Sequence, residues 1–266
     1  MGWRPSATIK ASFAVHAGAA AAALAAPGFW PHALAIVAAN QALLTAAGLL
    51  PRSTLLGPNL TRLPAASAMR GEIALTIDDG PDPDVTPRVL DLLDAAGMKA
   101  TFFCIGERVA RHAALARAVV ARGHAIENHS QRHLKLFAAL GPGGMRREIA
   151  EAQRSIADAV GRAPRWFRPT AGLRNPLLDP VLAGLGLRLA SWTRRPFDTR
   201  CGDADTVHAR LTRGLAAGDI LLMHDGHAAR TATGGPVILA ALPRLLVSLG
   251  ERRLRAVTLA AALGHD

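Results

Sequence analysis

Glu72-Ile73-Ala74-Leu75-Thr76-Ile77-Asp78-Asp79-Gly80-Pro81 decides how this chain is built. Ile73, Leu75 and Ile77 alternate with other residues at the period of a β-strand, and the strand stops at two carboxylates followed by Gly-Pro. Thr86-Pro87 then reads as an N-cap with proline at the first helical position. Gly97 closes the helix that carries Leu90 and Leu93. The same unit recurs down the chain. Strands are predicted at 100–104, 124–127, 166–168, 187–192, 219–223 and 254–259. Between them come a helix ending near Gly123, one over 146–160 stopped by Gly161, and one capped by Asn175-Pro176. Repeated βα units imply a parallel sheet with helices outside it. Seven of them predict an α/β fold of the distorted (β/α)7-type barrel class, with chemistry at the C-terminal strand ends.

The chain has 266 residues, of which 50% are hydrophobic and only 4% aromatic, with no tyrosine. Its formal charge of +11 would suit an anionic partner such as a phospholipid surface, a lipid pyrophosphate or nucleic acid. The basic residues are almost all arginine, with lysine only at 10, 99 and 135, a pattern that coding bias also produces. No basic cluster is interleaved with aromatics, which argues against a nucleic-acid reader. Cys104 and Cys201 have neither metal nor redox spacing and read as packing residues. No obligate protein partner is inferred.

Residues 11–26 and 33–50 are apolar runs without Asp or Glu, separated by Pro27, Gly28 and Pro31. Each is slightly short of the ~20 apolar residues of a spanning helix, and His16, Asn40 and Gln41 dilute them. A cleaved signal peptide ending at Ala23-Leu24-Ala25 leaves the second run unexplained, and two helices on a soluble core would need a polar face. A membrane hairpin accounts for both runs. Residues 1–65 are therefore expected to be a hydrophobic helical hairpin at a bacterial inner membrane, and residues 70–266 the catalytic domain. Arg4 and Lys10 share a side with Arg52, Arg62 and Arg70, and the turn at 27–32 has no Lys or Arg. Positive-inside logic then places the catalytic domain on the cytoplasmic face.

His129 and His133 are four apart, so one helical turn would put both rings on one face. The missing glutamate after the first histidine excludes a zincin site. Asp79 with the two histidines would make three N/O ligands and an open position, the make-up of a catalytic zinc site. Asp78 is then placed to act as general base, and Arg168 as the cation that keeps it charged. His224 ends the apolar run 220–223 and would emerge at the barrel mouth, able to protonate a leaving amine, with Asp198 orienting it. His112, His124, His208, His227 and His265 read as surface or packing residues, His227 standing nearest His224.

At these residues the sequence resembles the NodB-homology polysaccharide deacetylases, the family-4 carbohydrate esterases, from about residue 70 to about 260. Thr76–Pro81 is similar to the family's Thr-Phe-Asp-Asp-Gly-Pro motif with Ile77 for phenylalanine, and His129–His133 to its His-Ser/Thr-x-x-His motif. The resemblance implies a distorted barrel and one divalent metal, zinc first, with Co2+, Mn2+ or Ni2+ as substitutes. It implies removal of N-acetyl groups from amino sugars, with Asp78 as base, Asp79, His129 and His133 as metal ligands, Arg168 steadying the base and His224 as acid. A backbone N–H near Ala171 would share the oxyanion. Two motifs depart. Ala171 stands where the family has an aromatic residue, and Trp192-Thr-Arg-Arg-Pro-Phe-Asp198-Thr199 keeps one aspartate and lacks the closing tryptophan. The acyl pocket must be built differently, with Ala171, Phe197 and Trp192 as substrate-binding candidates, and acetyl and formyl both stay open.

Sugar polymers are usually gripped on aromatic platforms, which this chain lacks. A membrane hairpin and a basic surface suit a carbohydrate on a lipid phosphate carrier, a setting that resembles the inner-membrane deformylases of lipid-linked aminoarabinose. The alternatives are an exported peptidoglycan or chitin-type deacetylase, a catalytically silent carbohydrate-binding module on the same fold, and a metal-dependent phosphoesterase. The last is disfavoured because two-metal sites need more carboxylates.

Overall fold

The computed structural model describes residues 2–264; the predicted surface role of His265 lies outside them. Seven strands form one parallel sheet: β1 (Glu72–Asp78), β2 (Thr101–Cys104), β3 (Ala125–Asn128), β4 (Trp166–Phe167), β5 (Arg188–Leu189), β6 (Ile220–His224) and β7 (Arg255–Val257). The order is β5-β4-β3-β2-β1-β6, with β7 also on β1. β7 pairs the first half of β1, and its Ala256 carbonyl accepts from Lys99 N–H (3.0 Å). The last strand therefore wedges in below β2. β1 is buried along its whole length. The chain beyond β5 turns back onto β6, where Leu222 N–H donates to the Arg194 carbonyl (3.0 Å), so the curled sheet meets its far edge through irregular chain. This is the distorted barrel-like sheet expected from the seven repeats.

Helices cover the outer face. α4 (Thr86–Ala95), α5 (Gly106–Arg111), α6 (Ala113–Ala121), α7 (Pro142–Val160), α8 (Leu178–Gly184), α9 (Ala204–Thr212), α10 (Val237–Glu251) and a final turn α11 (Leu259–Ala262) alternate with the strands. The largest core gathers Ile73, Leu75 and Ile77 of β1 with Val89, Leu90 and Leu93 of α4 and Leu242, Leu245 and Leu249 of α10. Details of the sequence reading change here. Thr86 is not a cap: its hydroxyl accepts from Asp82 N–H (2.8 Å) and donates to Asp225. The helix expected to run to Gly123 is split at His112. α8 starts at Leu178, and Asn175 instead holds the preceding turn, its side chain accepting from Leu177 N–H (2.9 Å). Both cysteines are free.

Ahead of the sheet stand α1 (Ala7–Ala25) and α2 (Trp30–Leu49), packed side by side, then the short α3 (Ala65–Met69). Both long helices are apolar enough to cross a membrane by length and composition, and they expose Phe13, Leu24, Trp30, Leu34 and Leu43. The polar residues that interrupt the two runs face each other. Asn40 donates to Ser12 Oγ (2.8 Å), Gln41 donates to His16 Nε2 (3.1 Å), and His16 Nδ1 donates to the Ser12 carbonyl (2.7 Å). Polar pairing between helices satisfies groups that an apolar exterior cannot.

The base of α2 is seated on the catalytic part. Arg174 N–H donates to the Gly48 carbonyl (3.1 Å), and its side chain donates to the Ser53 carbonyl (2.6 Å). A Cβ on Gly48 would sit 2.1 Å from the Arg174 carbonyl oxygen, so no side chain fits there. Gly48→Ala should therefore overpack the junction and destabilise the full chain by about 1–3 kcal/mol, read as a lowered thermal midpoint in detergent. An unchanged midpoint would show that α2 is not seated on this loop.

Candidate active site

The side chains singled out in the sequence converge at the C-terminal ends of the strands. Asp78 ends β1, in register with His224 at the end of β6, while His129 follows β3 and Arg168 follows β4. Asp78, His129 and His224 line a cavity of about 860 Å³ together with Asp79, His133, Thr170, Ala171, Trp192 and Arg195, and Arg168 lies buried behind Asp78.

Arg168 has no exposed surface. Its Nη1 donates to Asp78 Oδ1 (2.6 Å) and Thr76 Oγ1 (2.9 Å), and its Nη2 donates to the Ser191 carbonyl (2.8 Å). The guanidinium lies 4.0 Å from the centre of the Phe103 ring. Burial lowers its pKa from the free-arginine value, opposed by the adjacent Asp78 charge. A carboxylate with one oxygen held this way is fixed in orientation and aims its other oxygen. That other oxygen, Asp78 Oδ2, lies 3.9 Å from His129 Nε2.

Asp79, His129 and His133 form a second cluster. Both Nε2 atoms lie 3.1 Å from Asp79 Oδ1. His129 Nδ1 donates to the Arg168 carbonyl (2.7 Å), which leaves its Nε2 lone pair facing the cluster when the ring is neutral. Asp79 Oδ1 is buried and makes no well-directed hydrogen bond of its own. One orphaned carboxylate oxygen and two imidazole nitrogens, all within 4.8 Å of one another, fit a divalent cation. Burial would raise the Asp79 pKa, but the neighbouring His129 and His227 side chains outweigh it and hold the carboxyl well below its usual range. Burial lowers His133 to about 4, which favours the neutral ring that a metal needs.

The His-x-x-x-His segment is not helical, contrary to the reading of one helical turn. It is a loop built by side chains. Asn128 Oδ1 accepts from Ser130 N–H (2.9 Å) and Ser130 Oγ from His133 N–H (3.2 Å), with Ser130 and His133 at positive φ. Among the described residues seven non-glycines have positive φ, and six of them, Asp79, Ser130, His133, Ala171, Phe197 and His227, belong to these loops. Such backbone costs ~1–3 kcal/mol per residue and concentrates where a site demands it.

His224 is held from behind. Its Nδ1 donates to Asp198 Oδ1 (2.8 Å), and its backbone N–H donates to Asp198 Oδ2 (2.8 Å). Burial alone would lower its pKa, but the Asp198 carboxylate overrides that and raises it to about 9. The ring is therefore protonated at neutral pH.

Residues 66–190 match the polysaccharide deacetylase family. A peptidoglycan-N-acetylglucosamine deacetylase of Bacillus cereus is 35% identical over 195 residues, which cover 73% of this chain and 88% of that protein. The chain belongs to the polysaccharide deacetylase family. A chitooligosaccharide deacetylase of Sinorhizobium fredii is 33% identical over 73% of this chain and 92% of its own length. A solved family 4 carbohydrate esterase from Streptomyces lividans, in complex with acetate, superposes with a TM-score of 0.63 at 34% identity, covering 70% of this chain and 91% of that one.

In this deacetylase the tertiary structure also adds residues. His227 is not an ordinary surface histidine. Its Nδ1 donates to Asp79 Oδ2 (3.1 Å), its Nε2 accepts from Arg108 (3.1 Å), and its ring stacks on His133. The His224-Asp225-Gly226-His227 spacing was the one available signal. Asp225 is buried beneath the site, and burial raises its pKa to about 7 against the hydrogen bonds from Thr86 and Gly226. Trp192 is buried at the cavity wall, where it excludes a Cβ at Gly172, which would lie 2.4 Å from the ring. Phe197 faces a neighbouring cavity instead of this one.

The His224–Asp198 pair gives a prediction for NMR. The His224 ring should titrate near 9 in the wild-type chain and move downward in Asp198→Asn. The raised value means that the pair stabilises the fold fully below about 6.5 and less as pH climbs through about 9. A midpoint that Asp198→Asn does not move would remove Asp198 as the partner.

Proposed function

We propose that this chain hydrolyses the N-acyl amide of an amino sugar, N-acetyl or N-formyl, carried on a lipid at a membrane. One arrangement carries the reading: Asp78, fixed by a buried arginine, and His224, backed by a carboxylate, flank the Asp79–His129–His133 cluster within one cavity. A divalent cation on that donor set, zinc first with cobalt, manganese or nickel as substitutes, would polarise the amide carbonyl and make the attacking water more acidic. The chain's own groups do the rest. Asp78 Oδ2 accepts a proton from the water as its oxygen adds to the carbonyl carbon. The Ala171 backbone N–H donates to the carbonyl oxygen as it gains charge. His224, protonated at neutral pH, gives its Nε2 proton to the sugar nitrogen as the C–N bond breaks, releasing amine and carboxylate. Trp192 bounds the acyl group, and the small Ala171 leaves room beside it.

Peptidoglycan and chitooligosaccharides, the substrates named for the relatives, are polymers. The hairpin favours a lipid-borne saccharide instead. α1 and α2 have 19 and 20 residues, about 28 and 30 Å at 1.5 Å per residue, close to the ~30 Å of a bilayer core. Residues 1–65 then form the membrane segment and 70–266 the deacetylase domain. Arg4, Lys10, Arg52, Arg62 and Arg70 lie on one side of the hairpin, which favours the cytoplasmic face.

Asp78→Asn should keep one divalent metal per chain by elemental analysis while acetate or formate release falls about 10²–10⁴-fold. A folded wild-type chain with neither metal nor turnover on N-acetylated or N-formylated amino sugars would sink the reading and leave a sugar-binding module. Reporter fusions at residue 68 and at the C-terminus should both be active in the cytoplasm. Periplasmic activity of both would instead mean an exported enzyme on cell-wall glycan.

A further inference from the structure

A second cavity, of about 820 Å³, opens beside the first and shares Ala171, Trp192, Arg195 and Arg200 with it. Six arginines line it, Arg52, Arg194, Arg195, Arg200, Arg210 and Arg213, and no carboxylate does. Among the described residues only Arg194 of the six has an acidic partner, Asp219 (2.7 Å). Arg52 and Arg210 donate only to the carbonyls of Thr193 (3.1 Å) and Pro196 (3.0 Å). Among the described residues Arg195, Arg200 and Arg213 have no carboxylate within ion-pairing distance. The Arg195 guanidinium lies between the rings of Trp192 (5.3 Å) and Phe197 (5.1 Å), and its Nε is buried without a hydrogen-bond partner. Burial lowers its pKa, against the opposing charges of Asp78 and Asp198.

Five arginines without a carboxylate partner around one hollow give it a strongly positive potential that attracts an anion. Planar guanidinium forks match the oxygens of a phosphate. The surroundings say how that phosphate would be attached. The cavity is lined by Leu49 and Pro51 at the base of α2, where Leu49 and Leu50 are exposed. Ala171 and Trp192, which also line the deacylation cavity, complete it, and Pro51 and Trp192 both close on Gly172. Apolar helix end, arginines and the deacylation cavity thus meet at one place, as lipid, phosphate and acylated sugar do in one molecule.

We propose that the arginine cavity binds the phosphate that joins an amino sugar to its lipid, holding it while the acyl group lies against Asp78. This rests on the deacylase reading only for the sugar and is tested separately from it. The relatives' glycan polymers have no need of such a subsite, so it also separates this chain's substrate class from theirs. Phe197, out of reach of the acyl group, acquires a place as the aromatic face that orients Arg195.

The test uses the full chain in a neutral detergent, first for binding and then for turnover. Farnesyl phosphate is titrated against the wild type and against Arg210→Gln/Arg213→Gln, with farnesol and inorganic phosphate as controls. Farnesyl phosphate should bind, farnesol should not, and the double variant should weaken binding at least tenfold. Weaker binding of inorganic phosphate would show that the lipid adds affinity. Arg210→Lys/Arg213→Lys should recover part of the loss, and equal thermal midpoints would exclude misfolding. Equal binding by the wild type and the glutamine variant, or binding of farnesol as tight as farnesyl phosphate, would overturn the proposal. In turnover, the metal-loaded enzyme should prefer N-acyl glucosamine linked through phosphate to a farnesyl chain over its methyl glycoside. That preference should reside in KM and shrink at least tenfold in the glutamine variant. If phosphatidylglycerol nanodiscs abolish the preference and phosphatidylcholine nanodiscs do not, the cavity reads bilayer headgroups and the substrate assignment fails. Binding without turnover of any sugar would keep the subsite and sink the deacylase reading.

Discussion

The ion pair between Arg168 and Asp78 is the constraint on which the site is built. Two adjacent carboxylates at a strand end repel, and each needs its own positive partner to stay ionised out of water. Arg168 serves Asp78 with a 2.6 Å hydrogen bond, while the histidines and the cation they fit serve Asp79. A buried pair of this kind adds little net stability, because desolvation cancels most of the attraction, whereas losing one partner costs ~3–5 kcal/mol. What the pair secures is direction. The arginine is held by the Thr76 hydroxyl, by two backbone carbonyls and by the Phe103 face, so Asp78 can present only one free oxygen to the cavity.

Around that fixed point the loops are strained and the strands are not. β1, hydrogen-bonded on both edges and buried throughout, carries the reference atoms. The positive-φ residues sit just beyond the strand ends, where side-chain bonds from Asn128 and Ser130 hold a conformation the backbone would otherwise leave. Rigid strands bearing short, over-determined loops place catalytic groups more closely than mobile loops could. His224 and Asp198 show the same economy, since one carboxylate binds both the ring and the backbone of its histidine.

The hairpin and the site form one mechanical unit. Gly48 at the base of α2 packs on Arg174, and Pro51 lies near Gly172 beside Trp192. The base of the hairpin therefore touches the loop that carries Ala171.

Local sequence determined much of this protein. The period-two pattern of 73–77, the seven repeats of strand and helix, and the residues Asp78, Asp79, His129, His133, Arg168 and His224 were legible because strand ends, turns and metal-ligand types are written in short windows. The two apolar runs were equally plain, but their interrupting His16 and Asn40 made sense only once α1 and α2 lay against each other. The shape of the His129–His133 loop, the hydrogen bond from His227 to Asp79, the burial of Asp225 and the gathering of six arginines around one cavity depend on residues far apart in the chain. Such contacts are set by how strands register and loops pack, and pairwise distance in three dimensions leaves no period or spacing in the sequence to read.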